Sequence, residues 1–203
     1  MPKVTADLTM TLDGFIAGPN DSLEHPLGVG GERMHRWLYE LEVWRKPHSL
    51  SGGETNENSA ILEEALDVGA HVVGRRMFDL AQEWGDEPPF HKPVFVVTHH
   101  AHEPIPKQSG TTFVFVTDGI ESALKQALDA AGGKDVSIGG GANVIQQFIK
   151  AKLLDELQVH IASVLLGSGT PLFSSDSTEH VELQCLRVVE GKGVAHLKYR
   201  IVK

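Results

Sequence analysis

An α/β chain, with a mostly parallel sheet finished by an antiparallel hairpin, is what this sequence predicts. Three observations carry the prediction. Short apolar runs at 70–73, 94–98, 112–116 and 136–138 alternate with segments of helical apolar spacing, as strands joined by crossover helices do. The last of these runs passes through Gly139, Gly140 and Gly141 straight into a helix with Val144, Ile145, Phe148 and Ile149 on one face. Near the end, Val181, Leu183 and Cys185 alternate, as do Ala195, Leu197, Tyr199 and Ile201, on either side of Glu190–Gly193.

Taken in order, 3–10 reads as the first strand. It runs into 11–21, where Gly14, Gly18, Pro19 and Asn20-Asp21 force a loop. A long polar connection at 22–31 leads to a helical face of Met34, Trp37, Leu38 and Leu41, ending before Pro47. A second glycine-rich loop spans 50–58. Long structureless loops in a compact domain are usually functional, often lids, so loops 18–33 and 45–58 are expected to shape a pocket. Asn58 or Ser59 is expected to cap a short helix carrying Ile61, Leu62, Ala65 and Leu66. Gly74-Arg75-Arg76 turns the strand at 70–73 into the next helix, and Pro88, Pro89 and Pro93 end that segment. Asp118 with Glu121 reads as a capping box opening a helix through Ala123, Leu124, Ala127 and Leu128. Leu157, Val159 and Ile161 alternate with Gln158 and His160, which predicts a half-exposed strand. No repeat, linker or low-complexity tract appears, so one domain over 1–203 is expected.

Composition narrows the function classes. A formal net charge of -9 opposes a protein that tracks nucleic-acid phosphates. The single cysteine, Cys185, excludes an internal disulfide and a cysteine zinc cluster, and fits a reducing cytoplasm. The start, Met-Pro-Lys-Val-Thr-Ala-Asp, has no apolar signal-peptide region, and no apolar run approaches membrane-spanning length. His99, His100 and His102 cluster without a carboxylate at ligand spacing, so no metal site is expected.

Chemistry concentrates at three strand ends. Glycines lack a Cβ, so a ligand can approach the Gly139-Gly140-Gly141 backbone, and the free amides of a helix start suit an anion. The spacing is not the G-x-G-x-x-G fingerprint, so a standard Rossmann assignment does not follow. In open α/β sheets ligands bind beyond the carboxyl ends of the strands. Pyrophosphate is therefore expected on the turn from Gly139 to Asn143, with Ala142 in it, and a second phosphate on Arg75, Arg76, Thr98 and His99. Arginine holds phosphate bidentately, at about 1.5–3 kcal/mol for each charged contact. Two such contacts favour NADP over NAD at least ten-fold.

The blocks Thr11-Leu12-Asp13-Gly14-Phe15-Ile16-Ala17, Val73-Gly74-Arg75-Arg76-Met77-Phe78, Gly139-Gly140-Gly141, Leu153-Leu154-Asp155-Glu156-Leu157 and 164–173 follow one another over nearly the whole chain. In that order they resemble the dihydrofolate reductase-like family. More narrowly, they resemble the stand-alone reductases similar to the C-terminal domain of the riboflavin-biosynthesis deaminase–reductase. The resemblance implies a three-layer fold with helices on both faces of the sheet. It implies NADPH bound by Gly74, Arg75, Arg76, Met77, Gly140, Gly141, Ala142 and Asn143, with Thr98 and His99 at the adenosine end. Met77 stands where the family often has threonine, which removes one hydroxyl from that site. The deaminase half is absent, since its zinc site needs Cys-x-x-Cys.

The expected reaction is hydride transfer from NADPH to a C=N or C=O bond of a small heterocycle or carbonyl compound. Asp13, just after the first strand, is the candidate catalytic carboxylate. Leu12, Phe15 and Trp37 are the substrate-side candidates, although a tryptophan at helical spacing is more often core. Glu32, Glu40 and Glu42 lie in no recognisable folate motif. Asp155 and Glu156 read as structural. The expected partners are a small-molecule substrate and a second copy of the chain, through 157–166 and the hairpin, with neither nucleic acid nor membrane. The competing readings are a non-catalytic NADP-binding module or sensor, and a phosphoryl or glycosyl transferase, the latter lacking a P-loop lysine.

Overall fold

The computed structural model describes residues 2–173 and 180–203. The strands are β1 (Val4–Thr11), β2 (Phe15–Ala17), β3 (Ala70–Gly74), β4 (Pro93–Val97), β5 (Ile105–Pro106), β6 (Thr112–Val116), β7 (Val136–Gly140), β8 (Glu156–Ala162), β9 (Thr170–Pro171), β10 (Leu183–Gly191) and β11 (Val194–Ile201). The α-helices are α1 (Arg36–Tyr39), α2 (Glu42–Arg45), α3 (Glu57–Leu66), α4 (Arg75–Leu80), α5 (Ile120–Ala130) and α6 (Ala142–Lys150). Nine strands form a mixed, mostly parallel sheet in the order β10-β11-β8-β1-β7-β3-β4-β6-β5, and β2 pairs with β9 in a small antiparallel ribbon. The predicted α/β class, with its terminal hairpin, is what forms.

The chain gathers into two compact units. The first comprises 1–6 and 68–156. Its parallel strands β7, β3, β4 and β6 are rich in Val, Ile and Phe, as strands covered on both faces require. Val73, Phe78, Val94, Val96 and Phe113 form one core cluster, and Phe113 is completely buried. Burying such a ring contributes about 2–3 kcal/mol. α5 packs on β3 and β4, and α6 on β7 and β3. Asp155 accepts from the Val4 amide at 2.8 Å, and the nearly buried Glu156 pairs with Lys3 at 2.7 Å, so both carboxylates are structural.

The second unit comprises 7–67 and 157–203. Trp37, Leu38, Leu41, Leu62 and Val194 make its apolar cluster. The β10–β11 hairpin is antiparallel, with a bulge between Cys185 and Arg187. Among the described residues, no helix is long and apolar enough to cross a membrane.

Four local expectations are corrected. The helix carrying Ile61 and Leu62 is capped by Asn56; its side chain accepts from the Asn58 amide at 3.0 Å, and Ser59 completes the box by accepting from the Asn56 amide at 3.1 Å. α5 starts after Gly119 at φ 91° with no side-chain cap, because that left-handed turn puts Asp118 outside the helix. β8 is buried rather than half-exposed: Gln158 and His160 face polar partners inside the unit, not water. The continuous helix expected over 34–46 is a 3-10 turn at Gly31–His35 followed by the short α1 and α2.

The two long loops are tied rather than structureless. Gly18 donates to the Leu27 carbonyl at 2.8 Å and Val29 to Pro19 at 2.8 Å. A Cβ on Gly18 would lie 2.2 Å from the Val29 oxygen, so the two strands of this loop touch backbone to backbone. In the second loop the Arg45 guanidinium donates twice to the Ser51 carbonyl, and Glu54 donates its amide to Glu40 at 2.7 Å.

Candidate functional site

Within the first unit, parallel pairing aligns the carboxyl ends of β3, β4 and β7, with Gly74 level with Val97 and Val73 level with Gly140. The glycines earn their place at this rim by different means. Gly140 has φ 123°, which only glycine adopts readily, and its peptide to Gly141 is cis. A Cβ on Gly74 would stand 3.0 Å from Val144 Cγ2 and 3.5 Å from the Gly141 nitrogen, so two strand ends approach there as bare backbone. A Cβ on Gly139 would press on Val73 at 3.3 Å. Gly141 faces open space, and α6 begins beside it at Ala142 without a side-chain cap. The result is an accessible backbone cradle at the positive end of a helix, suited to an anion. Asn143 is exposed there, its side-chain oxygen accepting from Gln147 at 2.6 Å.

The predicted cations stand around this rim in different states. Arg75 is half-buried, pairs with Asp79 one helical turn on at 2.7 Å, and lies 6.0 Å over the Phe78 ring. It lines a cavity of about 280 Å³ with Phe78, Asp79, His102, Ile105 and Phe115. A phosphate on Arg75 would share its guanidinium with Asp79, whose exposed pairing is worth under about 1 kcal/mol. Arg76 and His99 are exposed. Thr98 is buried, and its hydroxyl accepts from the His100 amide at 3.1 Å, so it shapes the turn. Met77 is half-buried against the first unit's core, and a Cβ on Gly140 would press on its sulfur at 3.3 Å.

In the second unit Asp13 occupies the turn between β1 and β2. Its carboxylate accepts from the Thr11 hydroxyl at 2.5 Å, the Gly167 amide at 2.7 Å and the Leu166 amide at 3.0 Å. The Thr11 hydroxyl first, then these amides, hold its carboxyl below the ordinary carboxylate range. These contacts tie the β1–β2 turn to the 166–167 loop, so Asp13 positions that loop. Leu12 is 68% exposed beside it, and Phe15 is half-buried. Trp37 is a correction among the substrate candidates. It is buried, packs against His160 and His196 at 4.9 and 5.2 Å, and donates to the Thr9 hydroxyl at 3.3 Å, so it belongs to the core.

Sequence reasoning missed a buried polar chain in this unit. Asp7, His160, His196 and Asn58 follow one another at 2.9, 2.7 and 3.0 Å. The available signal was the alternation of Gln158 and His160 with apolar residues on β8, which predicts a half-exposed strand. It also missed His35, whose Nδ1 is buried with no hydrogen-bond partner and whose ring burial pushes down to about pKa 4. Among the described residues, no three His, Cys, Asp or Glu are grouped to hold a metal ion.

Comparison with known proteins gives this geometry a lineage. The profile of the RibD C-terminal domain family matches residues 2–197. The chain belongs to the RibD C-terminal domain family. Its curated relatives include two Bacillus subtilis proteins, YyaP, 24% identical over 97% of this chain and 94% of its own length, and YwjB, 23% identical over 87% and 86%. Among solved structures, a Shewanella sp. PV-4 protein assigned to riboflavin biosynthesis superposes over all of both chains, with TM-score 0.67 and 22% identity. The Thermotoga maritima diaminohydroxyphosphoribosylaminopyrimidine deaminase/5-amino-6-(5-phosphoribosylamino)uracil reductase gives TM-score 0.62 at 14% identity, and this RibD C-terminal chain spans 57% of it. Dihydrofolate reductase from Enterococcus faecalis, complexed with NADP(H), gives 0.54 at 17% identity, over 99% of this chain and 97% of its own. The dihydrofolate reductase-like fold is thereby shown.

Proposed function

We propose that this chain is an NADPH-dependent reductase that transfers hydride to a small heterocycle, pterin- or pyrimidinone-like, or to a carbonyl compound. The observation that carries the reading is the rim of the first unit, where Gly74 and Gly140–Gly141 meet as bare backbone beside the uncapped start of α6. The residues fit a phosphorylated dinucleotide. Gly140, Gly141, Ala142 and Asn143 would take the pyrophosphate on amides, and Arg75 and Arg76 the additional phosphate, with Gly74, Gly139 and Met77 shaping the cradle and Thr98 and His99 at the adenosine end. When bound, the cofactor supplies hydride from its nicotinamide. Family membership and the reductases among the solved neighbours support the same class.

Asp13 then acts by holding the 11–15 turn against Leu166 and Gly167, which fixes where Leu12 and Phe15 present themselves. The proposal includes a homodimer. The edge strand β10 and the residues before it expose Val181, Leu183, Leu186 and Val188, an apolar row that a second copy would cover. The alternative, a non-catalytic NADP-binding module, is favoured by the engagement of Asp13, whose oxygens are already taken by Thr11, Leu166 and Gly167.

The test pairs binding with turnover. NADPH is expected to raise the melting temperature more than NADH, and to be oxidised with at least one member of a panel of pterins, pyrimidinones and quinones. Equal or absent thermal shifts would overturn the cofactor assignment. A selective shift without oxidation would leave the binding module.

A further inference from the structure

The buried chain in the second unit fixes its own proton count. At one end, Lys192 offers a backbone carbonyl, which can only accept, and Asn58 Nδ2 donates to it at 3.3 Å. That orients the Asn58 amide, so its Oδ1 faces His196 Nε2 at 3.0 Å as an acceptor, and the nitrogen must carry hydrogen. At the other end, Arg187 donates to Gln158 Oε1 at 2.9 Å, which orients that amide in turn. Gln158 Nε2 therefore donates to Asp7 Oδ2 at 2.7 Å, while Asp7 Oδ1 faces His160 Nε2 at 2.9 Å. A carboxyl is a stronger acid than an imidazolium, so the proton between Asp7 and His160 belongs to the ring. Both outer nitrogens are donors. The inner pair, His160 Nδ1 and His196 Nδ1, stands at 2.7 Å, a distance that two bare lone pairs do not keep. One more proton must lie between them.

We infer that His160 and His196 together hold three protons on four ring nitrogens, a buried monocation with Asp7 as counter-ion, and that the shared proton is a pH-operated clasp joining β1, β8, β11 and α3. Without it, the central link has two acceptors and no donor, and the pair must open. His196 is the neutral member: burial, and then the charge of His160, push it down to about pKa 4. The groups facing the pair from the packed elements are consistent with one positive charge. Asp7 on β1 is its acceptor, Glu57 on α3 adds negative potential, and Arg187 on β10 opposes a second proton, its own charge being taken up by Glu64 at 2.7 Å. His35 lies close enough to feel His160 and stays neutral through burial. Trp37 packs against both rings, at 4.9 and 5.2 Å.

Histidine side-chain nitrogen NMR on the full chain decides this. At neutral pH the expected pattern for the two residues is three protonated nitrogens and one acceptor, with His160 protonated at both positions. Two acceptor nitrogens, one on each ring, would overturn the inference without any variant. Raising the pH should remove the bridging proton and, at the same midpoint, speed solvent exchange of His196 Nε2–H. Loss of that proton with no change in exchange would overturn the clasp. In Asp7→Asn the count is expected to drop from three to two; a count still at three would refute Asp7 as counter-ion.

Discussion

Acid stability gives the sharpest test of the packing. His35 and His196 are pushed down to about pKa 4 and His71 to about 3, with burial the main cause in each. For His71 the Lys92 charge adds to it. Unfolded histidines titrate near 6.5. Between those values the unfolded chain binds protons that the native one does not, so stability must fall as pH drops below about 6.5, and the loss stops growing only near pH 3–4. At about pH 5 each histidine contributes roughly 1.36 × 1.5, or about 2 kcal/mol, and the three together about 6. That rivals the whole stability of an ordinary domain, roughly 5–15 kcal/mol. Carboxylates held low, such as Glu64, act in a lower window, because their unfolded values lie near 4.5. Urea unfolding at about pH 7 and about pH 5 measures the difference. His71→Gln should remove about a third of it, whatever it costs at either pH. A change below about 1 kcal/mol in the unaltered chain would mean that these rings are not buried neutral, and the packing described for them would be wrong.

The remaining predictions concern the site. Arg75→Ala should weaken NADPH at least ten-fold in a calorimetric titration and leave NADH unchanged, since only the former carries the extra phosphate; equal weakening would place Arg75 elsewhere. Asp13→Asn should lower the urea midpoint, by loosening the Leu166 and Gly167 amides, while retaining a measurable rate of NADPH oxidation; complete loss of turnover in a folded variant would restore Asp13 as the proton donor. Gly191→Ala should destabilise strongly, because its Cβ would lie 1.9 Å from Asn58 Oδ1 and 3.0 Å from His196 Nε2. Val188→Glu, on the exposed edge, should shift a dimer to monomer in sedimentation without changing the melting transition of the monomer.

The parts of the fold that were legible in the sequence are those where one local signal acts alone. Val136 and Ile138 followed by three glycines and Val144, Ile145 and Phe148 could only be a strand turning into a helix, and β7 and α6 are that. The Glu190–Gly193 turn fixed the hairpin in the same way. What was not legible depends on partners distant in sequence. Gln158 and His160 alternate with apolar residues as a wet face would, and nothing nearby reveals that Asp7 and His196 wait opposite, 151 and 36 residues away. Asp13 looked like a free pocket carboxylate because the amides that occupy it come from Leu166 and Gly167, 153 and 154 residues on. The cap of α3 is not legible either, because Asn56, Asn58 and Ser59 are all good capping residues and only the backbone chooses Asn56 among them.

A polar spine through the core of the second unit calls for its own explanation, since burying ions rarely adds net stability. Register offers one. β11 alternates, with Val194 and His196 buried and Arg200 exposed, and β10 opposite it is displaced by the bulge at Cys185–Arg187. A slip of one residue would carry His196 to the other face of its strand and leave His160 Nδ1 and Asn58 Oδ1 without their partner in a dry interior. An apolar residue at 196 would tolerate that slip; the histidine does not. Gly191 makes the same choice from the hairpin side, because its missing Cβ is the space that Asn58 fills. The spine thus ties β8, β11 and α3 in one register, a constraint that valines at 160 and 196 would not supply.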